Sequence, residues 1–273
     1  MTDIRKPTDY KSAIKPIWCP GCGDYGVLSA ITKAFAKLQL PPDEVAVVSG
    51  IGCAARIPAY INAYGFHGLH GRALPIATGL KLSRPELTVL AAGGDGDIYS
   101  IGGNHFLHAC RRNVDITLLV MDNRIYGMTK GQPSPTTEAD FPTHLYPEGT
   151  HLAPLNALAI ALVAGANFVA RTFSGDPNGL AEDIAMAIKH PGFSVIEILS
   201  PCVTFRPEQR EWKRHVLRGA LEPAASVAEA LQVVTTGPEL ATGVIWKGSR
   251  PPYRGPGEQA ARSLEQLMED FAA

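Results

Sequence analysis

Two apolar runs of strand length each end directly in a polar motif. Residues 87–92 lead into a run of glycines and acids at residues 93–97, and residues 116–121 lead into Asp122 and Asn123. Continuous apolar runs of this kind are typical of strands buried on both faces of a parallel sheet. We therefore expect both motifs at the carboxyl ends of such strands, where open α/β sheets bind their ligands.

The residue types in these motifs suit a phosphate and a divalent cation. Gly94 and Gly96 let the backbone approach a phosphate closely and leave amides free to point at it. Asp95 and Asn123 carry oxygen ligands suited to Mg2+, which takes one or two protein groups together with phosphate oxygens and water. The spacing of this glycine-acid-glycine turn and the later Asn is similar to that of the thiamine-diphosphate motif.

Apolar runs and helical patterns alternate along the chain. Four runs are predicted as strands, with one further candidate: residues 45–48, 87–92, 116–121 and 193–199, and then 168–170. Residues 27–38 and 180–188 repeat apolar side chains at helical spacing, and the alanine-rich stretch from residue 153 is typical of a buried helix. Alternating strands and helices predict an α/β fold, a parallel sheet with helices on both faces.

The composition divides the chain into a main part and a tail. Residues 1–234 are predicted to form one domain that carries the ligand sites. Residues 235–273 are predicted to form a tail, because residues 235–257 are rich in Gly and Pro and suit an extended segment. Apolar side chains in residues 258–271 predict a short closing helix.

The charge and hydropathy of the chain narrow its function class and its compartment. The formal net charge of the 273 residues is −1, which does not favour nucleic acid or an anionic membrane as a partner. The first residues have no apolar signal core, and the longest apolar stretch is interrupted by Pro, Asn and Gly, so we expect no membrane span. The sequence therefore predicts a cytoplasmic protein.

Four of the five cysteines form a set that suits a metal centre. Cys19 and Cys22 make a CxxC motif, which is typical of a zinc half-site, a redox pair or an iron–sulfur half-site. Cys53 and Cys202 each follow a predicted strand and complete the four thiolates that a cubane cluster needs. The residues alone leave an iron–sulfur cluster, a tetrahedral zinc and unrelated core cysteines open. Cys110 lies in a helical pattern and is expected to be a small buried hydrophobe.

Together these motifs resemble the β subunits of the 2-oxoacid:ferredoxin oxidoreductases. The resemblance covers residues 17–205. It rests on six pieces of sequence, at residues 18–23, 50–53, 67–72, 94–97, 123–132 and 200–205. No single piece is specific, but their combination is. The resemblance implies a thiamine-diphosphate-binding fold, with this chain as the diphosphate-type domain.

The resemblance also implies a ligand for each motif. One [4Fe–4S] cluster would be held by four thiolates, those of Cys19, Cys22, Cys53 and Cys202. Mg2+ would be bound by three groups, those of Asp95 and Asn123 and the carbonyl of Ile125. The cofactor pocket would include Gly52, Cys53, Gly94, Asp95, Gly96, Asp97, Asn123 and Ile125.

The family reaction implied is the CoA-dependent oxidative decarboxylation of a 2-oxoacid, with electrons passed through the cluster to ferredoxin. The loops at residues 128–132 and 200–205 resemble members that use 2-oxoglutarate more than those that use pyruvate. The product would be succinyl-CoA, or the reaction would run in the carboxylating direction. The pyrimidine-binding half of the family's active site comes from a separate α subunit, so we expect the chain to be inactive alone.

Four further side chains are candidate catalytic residues. Arg56 and Lys130 carry cations that can pair with the distal carboxylate of 2-oxoglutarate, although either also suits a solvated charge. His67 and His70 are expected to line the site as hydrogen-bond donors, or to structure the loop that contains them.

Two other functions compete with the electron-transferring subunit. One is a non-redox thiamine enzyme whose cysteines hold structural zinc, and the other is an inactive binding partner that keeps only the fold. The strand-end positions of Cys53 and Cys202 argue against the first, because a structural zinc gains nothing from lying beside the cofactor. The intact Asp95, Asn123 and cysteine set argue against the second.

Overall fold

The structure of the chain is a computed structural model that describes residues 4–255 and Met268. The described part contains an eight-stranded sheet. The strands are β1 (Val45–Ser49), β2 (Tyr64–His67), β3 (Thr88–Gly94), β4 (Thr117–Asp122), β5 (Phe168–Phe173), β6 (Ser194–Leu199), β7 (Leu217–Leu221) and β8 (Ala241–Lys247). The α-helices are α1 (Asp24–Leu38), α2 (Ile57–Tyr60), α3 (Ala73–Ser83), α4 (Gly103–Arg112), α5 (Ala157–Ala164), α6 (Pro177–Lys189), α7 (Trp212–His215) and α8 (Val227–Thr236).

The sheet is parallel through six neighbouring strands. Its order is β2-β1-β3-β4-β6-β5-β8-β7, and the first six strands pair in parallel. Strand β8 runs antiparallel to β5, and β7 pairs with β8 in parallel. All five predicted strands are present as β1, β3, β4, β5 and β6, so the predicted parallel sheet is confirmed for the part that carries the motifs.

Helices cover both faces of the sheet, as predicted. Side chains alternate across a strand, so Val45 and Val47 of β1 pack in one core with α1 and α6. Ala46 and Val48 of the same strand pack in a second core with α3, α4, α5 and α8. Because both faces of β1 are buried, this strand has the continuous apolar sequence from which it was predicted.

The helix ends also follow the local sequence. Asp176 caps α6, since its Oδ1 accepts a hydrogen bond from the amide of Gly179 at 3.2 Å. Asn156 caps the alanine-rich α5 in the same way, through the amide of Ala159 at 3.0 Å.

Among the described residues, we find no helix that combines the length and the apolar character needed to cross a bilayer.

The extended segment predicted for residues 235–257 is corrected by the structure. Residues 241–247 form strand β8, in which Ala241 and Ile245 are buried, and the boundary expected after residue 234 lies inside α8. Gly243 within the strand, and the Gly and Pro residues around it, obscured its apolar pattern. The short helix expected for residues 258–271 lies outside the described residues, apart from Met268.

Strands β2 and β7 have no counterpart among the predicted strands. All four residues of β2 are exposed, and so are four of the five in β7. A strand at or near a sheet edge need not bury a continuous apolar run, so its sequence lacks the signal from which the inner strands were predicted.

Candidate functional site

The polar motifs of the chain meet at one edge of the sheet. Strands β1, β3, β4 and β6 are consecutive and parallel in the sheet. Their carboxyl ends therefore lie side by side and deliver, in that order, residues 50–53, residues 95–97, Asn123 and Cys202. This arrangement places the predicted metal ligands and two of the cysteines on the ligand-binding edge of an open α/β sheet.

A cavity of about 150 Å3 opens at this edge. All eight residues predicted to contact the cofactor line it, namely Gly52, Cys53, Gly94, Asp95, Gly96, Asp97, Asn123 and Ile125. His70, Tyr126, Met128 and Thr129 also contribute to its wall. The sequence motifs, which are up to 73 residues apart along the chain (residues 52 to 125), thus form one concave site.

Two glycines of the motif have different local roles. A Cβ atom at Gly94 would meet only the carbonyl oxygen of Met121, at 3.8 Å, so the backbone there borders open space. A Cβ atom at Gly96 would lie closer than 3.0 Å to the ring of Tyr126, whose hydroxyl donates to the Gly96 carbonyl at 3.1 Å. Gly94 therefore suits the close approach of a phosphate, whereas Gly96 is required by its contact with Tyr126.

We expect Gly96→Ala to destabilise the protein by about 1–3 kcal/mol, the usual cost of overpacking a well-packed site. The added methyl group would displace the Tyr126 ring from the cavity wall. Gly79→Ala is the matched control, because Gly79 lies in α3 and a Cβ atom there would meet no atom of the described residues within 4 Å. Helix propensity predicts that the control gains up to about 1 kcal/mol. Equal unfolding free energies of the two variants in urea would contradict this contact.

Asp95 is a buried carboxylate at the start of a short π-helical segment, Gly96–Ile101. The hydroxyl of Thr136 lies 2.9 Å from Oδ2 of Asp95 and 2.8 Å from Oδ1 of Asp122, so its single proton serves one carboxylate at a time. Burial raises the pKa of Asp95, although hydrogen bonds from Ser134 and Thr136 oppose the shift. Burial, and then the charge of Asp95, raise the pKa of Asp122 well above its usual value.

A divalent cation at Asp95 would offset this buried negative charge, and the donor set beside it suits Mg2+. The side-chain oxygen of Asn123 accepts a hydrogen bond from the amide of Ile125 at 3.0 Å and retains a second lone pair. Arg124 between them has a φ of 58°, and its amide donates to Oδ1 of Asp122 at 3.0 Å. The tight turn is thus held by its own side chains, and the residues present fit the ion.

Asp97 joins three loops of the site. Its Oδ1 accepts hydrogen bonds from the amides of Gly71 at 2.7 Å and Ile51 at 3.2 Å. Its Oδ2 is buried and has no hydrogen-bond partner in the part of the chain that the structure describes, and a Cβ atom at Gly50 would lie closer than 3.0 Å to it. Asp97 therefore fixes the loop after β1 and the loop before α3 relative to the end of β3.

The two candidate histidines occupy different positions. His70 lines the cavity, and its Nδ1 lies 2.6 Å from Oδ1 of Asp97. A carboxylate only accepts hydrogen bonds, so Nδ1 carries the proton and Nε2 is the ring atom left for other partners. His67 is the exposed last residue of β2 and does not line the cavity.

The two candidate cations lie beside the cavity rather than in its wall. Arg56 is half-buried in the one-turn helix Ala54–Arg56 that follows Cys53, and its charge lowers the pKa of that thiol against larger opposing effects. Lys130 is exposed and has a φ of 78° in the loop that follows Thr129, a cavity residue. Both cations are close in sequence to residues that line the cavity.

The four candidate cluster cysteines come from three loops that approach one another. Cys19 is exposed, whereas Cys22, Cys53 and Cys202 are half-buried. Burial raises the pKa of Cys53 to about 11, and the charges of Asp24, Cys202 and Cys19 raise it further. Cys110 is fully buried in α4, as predicted.

Hydrogen bonds hold the cysteine loops in place. The indole of Trp18 donates to the carbonyl of Cys53 at 2.8 Å, and the amide of Gly23 donates to the carbonyl of Pro201 at 3.0 Å. Among the described residues, no three His, Cys, Asp or Glu side chains are grouped as ligands of one metal ion. A [4Fe–4S] cluster instead takes each of its four thiolates on a different iron. The cysteine set fits that arrangement.

Two buried polar residues of this site were not predicted from the sequence. Thr136 lies in a loop rich in Ser, Thr and Pro, and only its two carboxylate partners identify it. Gln209 lies in the one-turn helix Pro207–Glu211 and bonds the backbone of both Asn123 and Cys202. Neither residue has a periodic or motif signal, because each acts through contacts that are distant in sequence.

Comparison with protein families identifies the class to which this fold and site belong. Residues 37–198 match the family model described as thiamine pyrophosphate enzyme, C-terminal TPP binding domain. The match includes every predicted cofactor residue and leaves out three of the four candidate cluster cysteines. The fold is therefore that of a thiamine-diphosphate enzyme, which confirms the predicted fold class.

Similarity to individual proteins shows which group of thiamine-diphosphate enzymes this chain resembles. The 2-oxoglutarate oxidoreductase subunit KorB of Mycobacterium tuberculosis is 47% identical over 201 residues, which are 74% of this chain and 54% of that protein. The 2-oxoglutarate synthase subunit KorB of Archaeoglobus fulgidus is 46% identical over 69% of this chain and 70% of its own length. The solved structure of a 2-oxoglutarate:ferredoxin oxidoreductase from Magnetococcus marinus, with 2-oxoglutarate, coenzyme A and succinyl-CoA bound, matches with a TM-score of 0.85. Its identity is 38%, and the match covers 98% of this chain and 89% of that chain.

The chain belongs to the family of the 2-oxoacid:ferredoxin oxidoreductase β subunits. The resemblance drawn from the sequence motifs is thereby confirmed. The chain spans about half the length of the Mycobacterium relative, 54%, and 63% of 2-oxoacid:ferredoxin oxidoreductase 1, subunit beta, of Aeropyrum pernix.

Proposed function

We propose that this chain is the β subunit of a 2-oxoglutarate:ferredoxin oxidoreductase. The enzyme would convert 2-oxoglutarate and coenzyme A to succinyl-CoA and CO2, or catalyse the reverse carboxylation, and exchange electrons with ferredoxin. The observation that carries this proposal is the position of Cys53, which lines the cavity and whose carbonyl accepts a hydrogen bond from the indole of Trp18, the residue before Cys19. An electron would therefore have a short path between the two groups.

Each group that the reaction needs has residues suited to hold it. Asp95, Asn123 and the carbonyl of Ile125 would hold Mg2+, and the open backbone at Gly94 would admit the diphosphate. Cys19, Cys22, Cys53 and Cys202 would hold one [4Fe–4S] cluster. When bound, thiamine diphosphate supplies the carbanion chemistry of decarboxylation, and the cluster supplies a one-electron acceptor.

The side chains of the chain itself would orient and protect these groups. Asp97 keeps the protonated Nδ1 of His70 engaged, so Nε2 is the atom that can hold or move a proton at the cavity wall. Tyr126 packs on Gly96 and forms part of the cavity wall. The α subunit would supply the other half of the active site, and the chain is therefore expected to be inactive without it.

The test of this function is an EPR spectrum of the anaerobically purified chain before and after dithionite. The signal of a reduced [4Fe–4S] centre is expected, together with CoA-dependent ferredoxin reduction only when the α subunit is added. A sample that contains zinc and no iron would contradict the proposal. That result would favour a non-redox thiamine enzyme with structural zinc, the alternative that the cysteine pattern left open.

The choice of 2-oxoglutarate is tested by removing the two cations near the cavity. Arg56→Ala and Lys130→Ala are each expected to raise KM for 2-oxoglutarate about 10-fold or more, because a hydrogen bond to a charged group contributes about 1.5–3 kcal/mol. KM for pyruvate, which has no distal carboxylate, should change little. Lys130→Arg keeps the charge and serves as the control. Equal effects on both substrates would mean that neither cation reads the distal carboxylate, and would favour pyruvate or another 2-oxoacid.

A further inference from the structure

Gln209 is a fully buried amide between the two halves of the proposed site. It lies in the one-turn helix Pro207–Glu211, and only 1% of its surface is exposed. A buried amide is costly unless its donor and acceptor are both paired. Its partners are therefore the best guide to what this side chain does.

Both ends of the Gln209 amide bond backbone atoms of predicted ligands. Its Oε1 accepts a hydrogen bond from the amide of Cys202 at 2.8 Å. Its Nε2 donates to the carbonyl of Asn123 at 2.8 Å. The orientation of the amide follows, because an N–H group only donates and a carbonyl only accepts. One side chain thus joins the loop after β6, which carries Cys202, to the loop after β4, which carries Asn123.

The segment that carries Gln209 is itself anchored to the same two loops. The amide of Arg206 donates to the carbonyl of Cys202 at 2.7 Å. The buried guanidinium of Arg206 donates hydrogen bonds to the carboxylate of Glu138 at 2.9 and 3.1 Å. Its Cζ atom lies 3.6 Å from the centroid of the Phe141 ring. The contacts of Arg206 therefore fix the position of the segment that carries Gln209. The Gln209 side chain can in turn keep the two loops at a constant distance from each other.

We propose that Gln209 is a positioning residue for both the cofactor and the cluster, an inference that rests on the proposed function. Through Nε2 it holds the Asn123 loop in the shape that the cation and the cofactor need. Through Oε1 it engages the Cys202 amide and keeps that N–H from the cluster sulfurs. Hydrogen bonds to cluster sulfurs stabilise the more negative, reduced state, so withholding one keeps the reduction potential low.

The first variant, Gln209→Met, removes both hydrogen bonds at nearly constant volume. In the anaerobically purified complex with the α subunit, we expect the Kd for thiamine diphosphate with Mg2+ to rise about 10-fold, because the Asn123 carbonyl loses its partner. We also expect the midpoint potential of the cluster, measured by EPR redox titration, to become less negative. Gln209 belongs to neither predicted set of ligands. A change in both the cofactor Kd and the midpoint potential would therefore reveal its positioning role.

A second variant separates the two hydrogen bonds. Gln209→Glu keeps an acceptor for the Cys202 amide but faces the Asn123 carbonyl with a second oxygen. We expect it to weaken cofactor binding as much as the first variant, without making the cluster potential less negative. Because Glu has nearly the shape of Gln, this variant also keeps the test decisive if the Met variant does not fold.

The control is Gln232→Met, the same chemical change at an exposed position of α8. It should alter neither the cofactor Kd nor the midpoint potential. Variants at Gln209 that lower thermal stability but leave both readouts at wild-type values would overturn this inference and leave the proposed function intact. A wild-type complex without a cluster EPR signal would overturn both.

Discussion

Asp95→Asn is expected to abolish cofactor binding and leave the cluster in place. The Kd for thiamine diphosphate with Mg2+ should rise at least about 100-fold, because even groups that only support metal ligands are worth about 10- to 100-fold. The cysteines do not contact Asp95 through any hydrogen bond, so the EPR signal of the reduced cluster should persist. Isothermal titration of the anaerobic complex and EPR of the same sample measure the two results.

The same variant is expected to stabilise the protein in the absence of cofactor. Burial raises the pKa of Asp95 above its value in the unfolded chain, so the ionised carboxylate destabilises the fold at neutral pH. Asn removes that charge, and Tm without cofactor should rise. The gain should shrink as the pH falls through the raised pKa and vanish below about pH 4, where the carboxyl is protonated in both states.

Asp43→Asn is the matched control for Asp95. Asp43 is exposed in the turn Pro42–Glu44, which precedes β1 at the opposite edge of the sheet. The control should leave cofactor affinity unchanged. Normal affinity in Asp95→Asn would refute the Mg2+ assignment, and a lower Tm without cofactor would refute the interpretation of Asp95 as a charge that the cation offsets.

Cys202→Ala is expected to have the converse effect. Loss of one of four thiolates should remove the [4Fe–4S] EPR signal and lower the iron content of the anaerobic protein, because the cubane needs all four ligands. Cys202 does not line the cofactor cavity, so the Kd for thiamine diphosphate should stay within a few-fold of the wild-type value. Ferredoxin reduction by the complex with the α subunit should cease.

Cys110→Ala is the control for this loss. Cys110 is buried in α4 and packs in the core with α3 and α5, so its truncation should cost some stability and no iron. A Cys202→Ala protein that retains a full complement of iron would remove Cys202 from the ligand set. Loss of iron from both variants would point to general unfolding rather than to a ligand.

The inner part of the sheet was predictable because burial on both faces leaves a direct mark on the sequence. Strands β1, β3, β4 and β6 are continuous apolar runs, and each is followed within a few residues by a polar motif. Strands β2 and β7 have no such mark, since their residues are largely exposed. Strand β8 is as long as β3, but Gly243 interrupts its apolar run and the Gly and Pro residues around it suggested an extended tail.

Within the candidate site, the sequence predicted the polar residues that lie at the strand ends, but not the contacts that hold them in place. Asp95, Asn123 and the cysteines belong to motifs whose spacing reflects the strand ends that carry them. The pairing of His70 with Asp97 and the bridge made by Gln209 join residues 27 and 86 positions apart, counting Gln209 to Asn123. Such contacts follow from the order of the strands in the sheet, which local sequence does not encode.

The sequence by itself determined the fold class, the motif at each strand end and the family to which the chain belongs. Local chemistry suffices for these, because a parallel strand must be apolar and its carboxyl end must carry the functional groups. Only the tertiary structure decided that His70 lines the cavity while His67 does not, that Gly96 serves a contact with Tyr126, and that Gln209 joins two loops. These outcomes depend on which buried polar atoms meet, and a buried polar atom is satisfied by neighbours in space rather than in sequence.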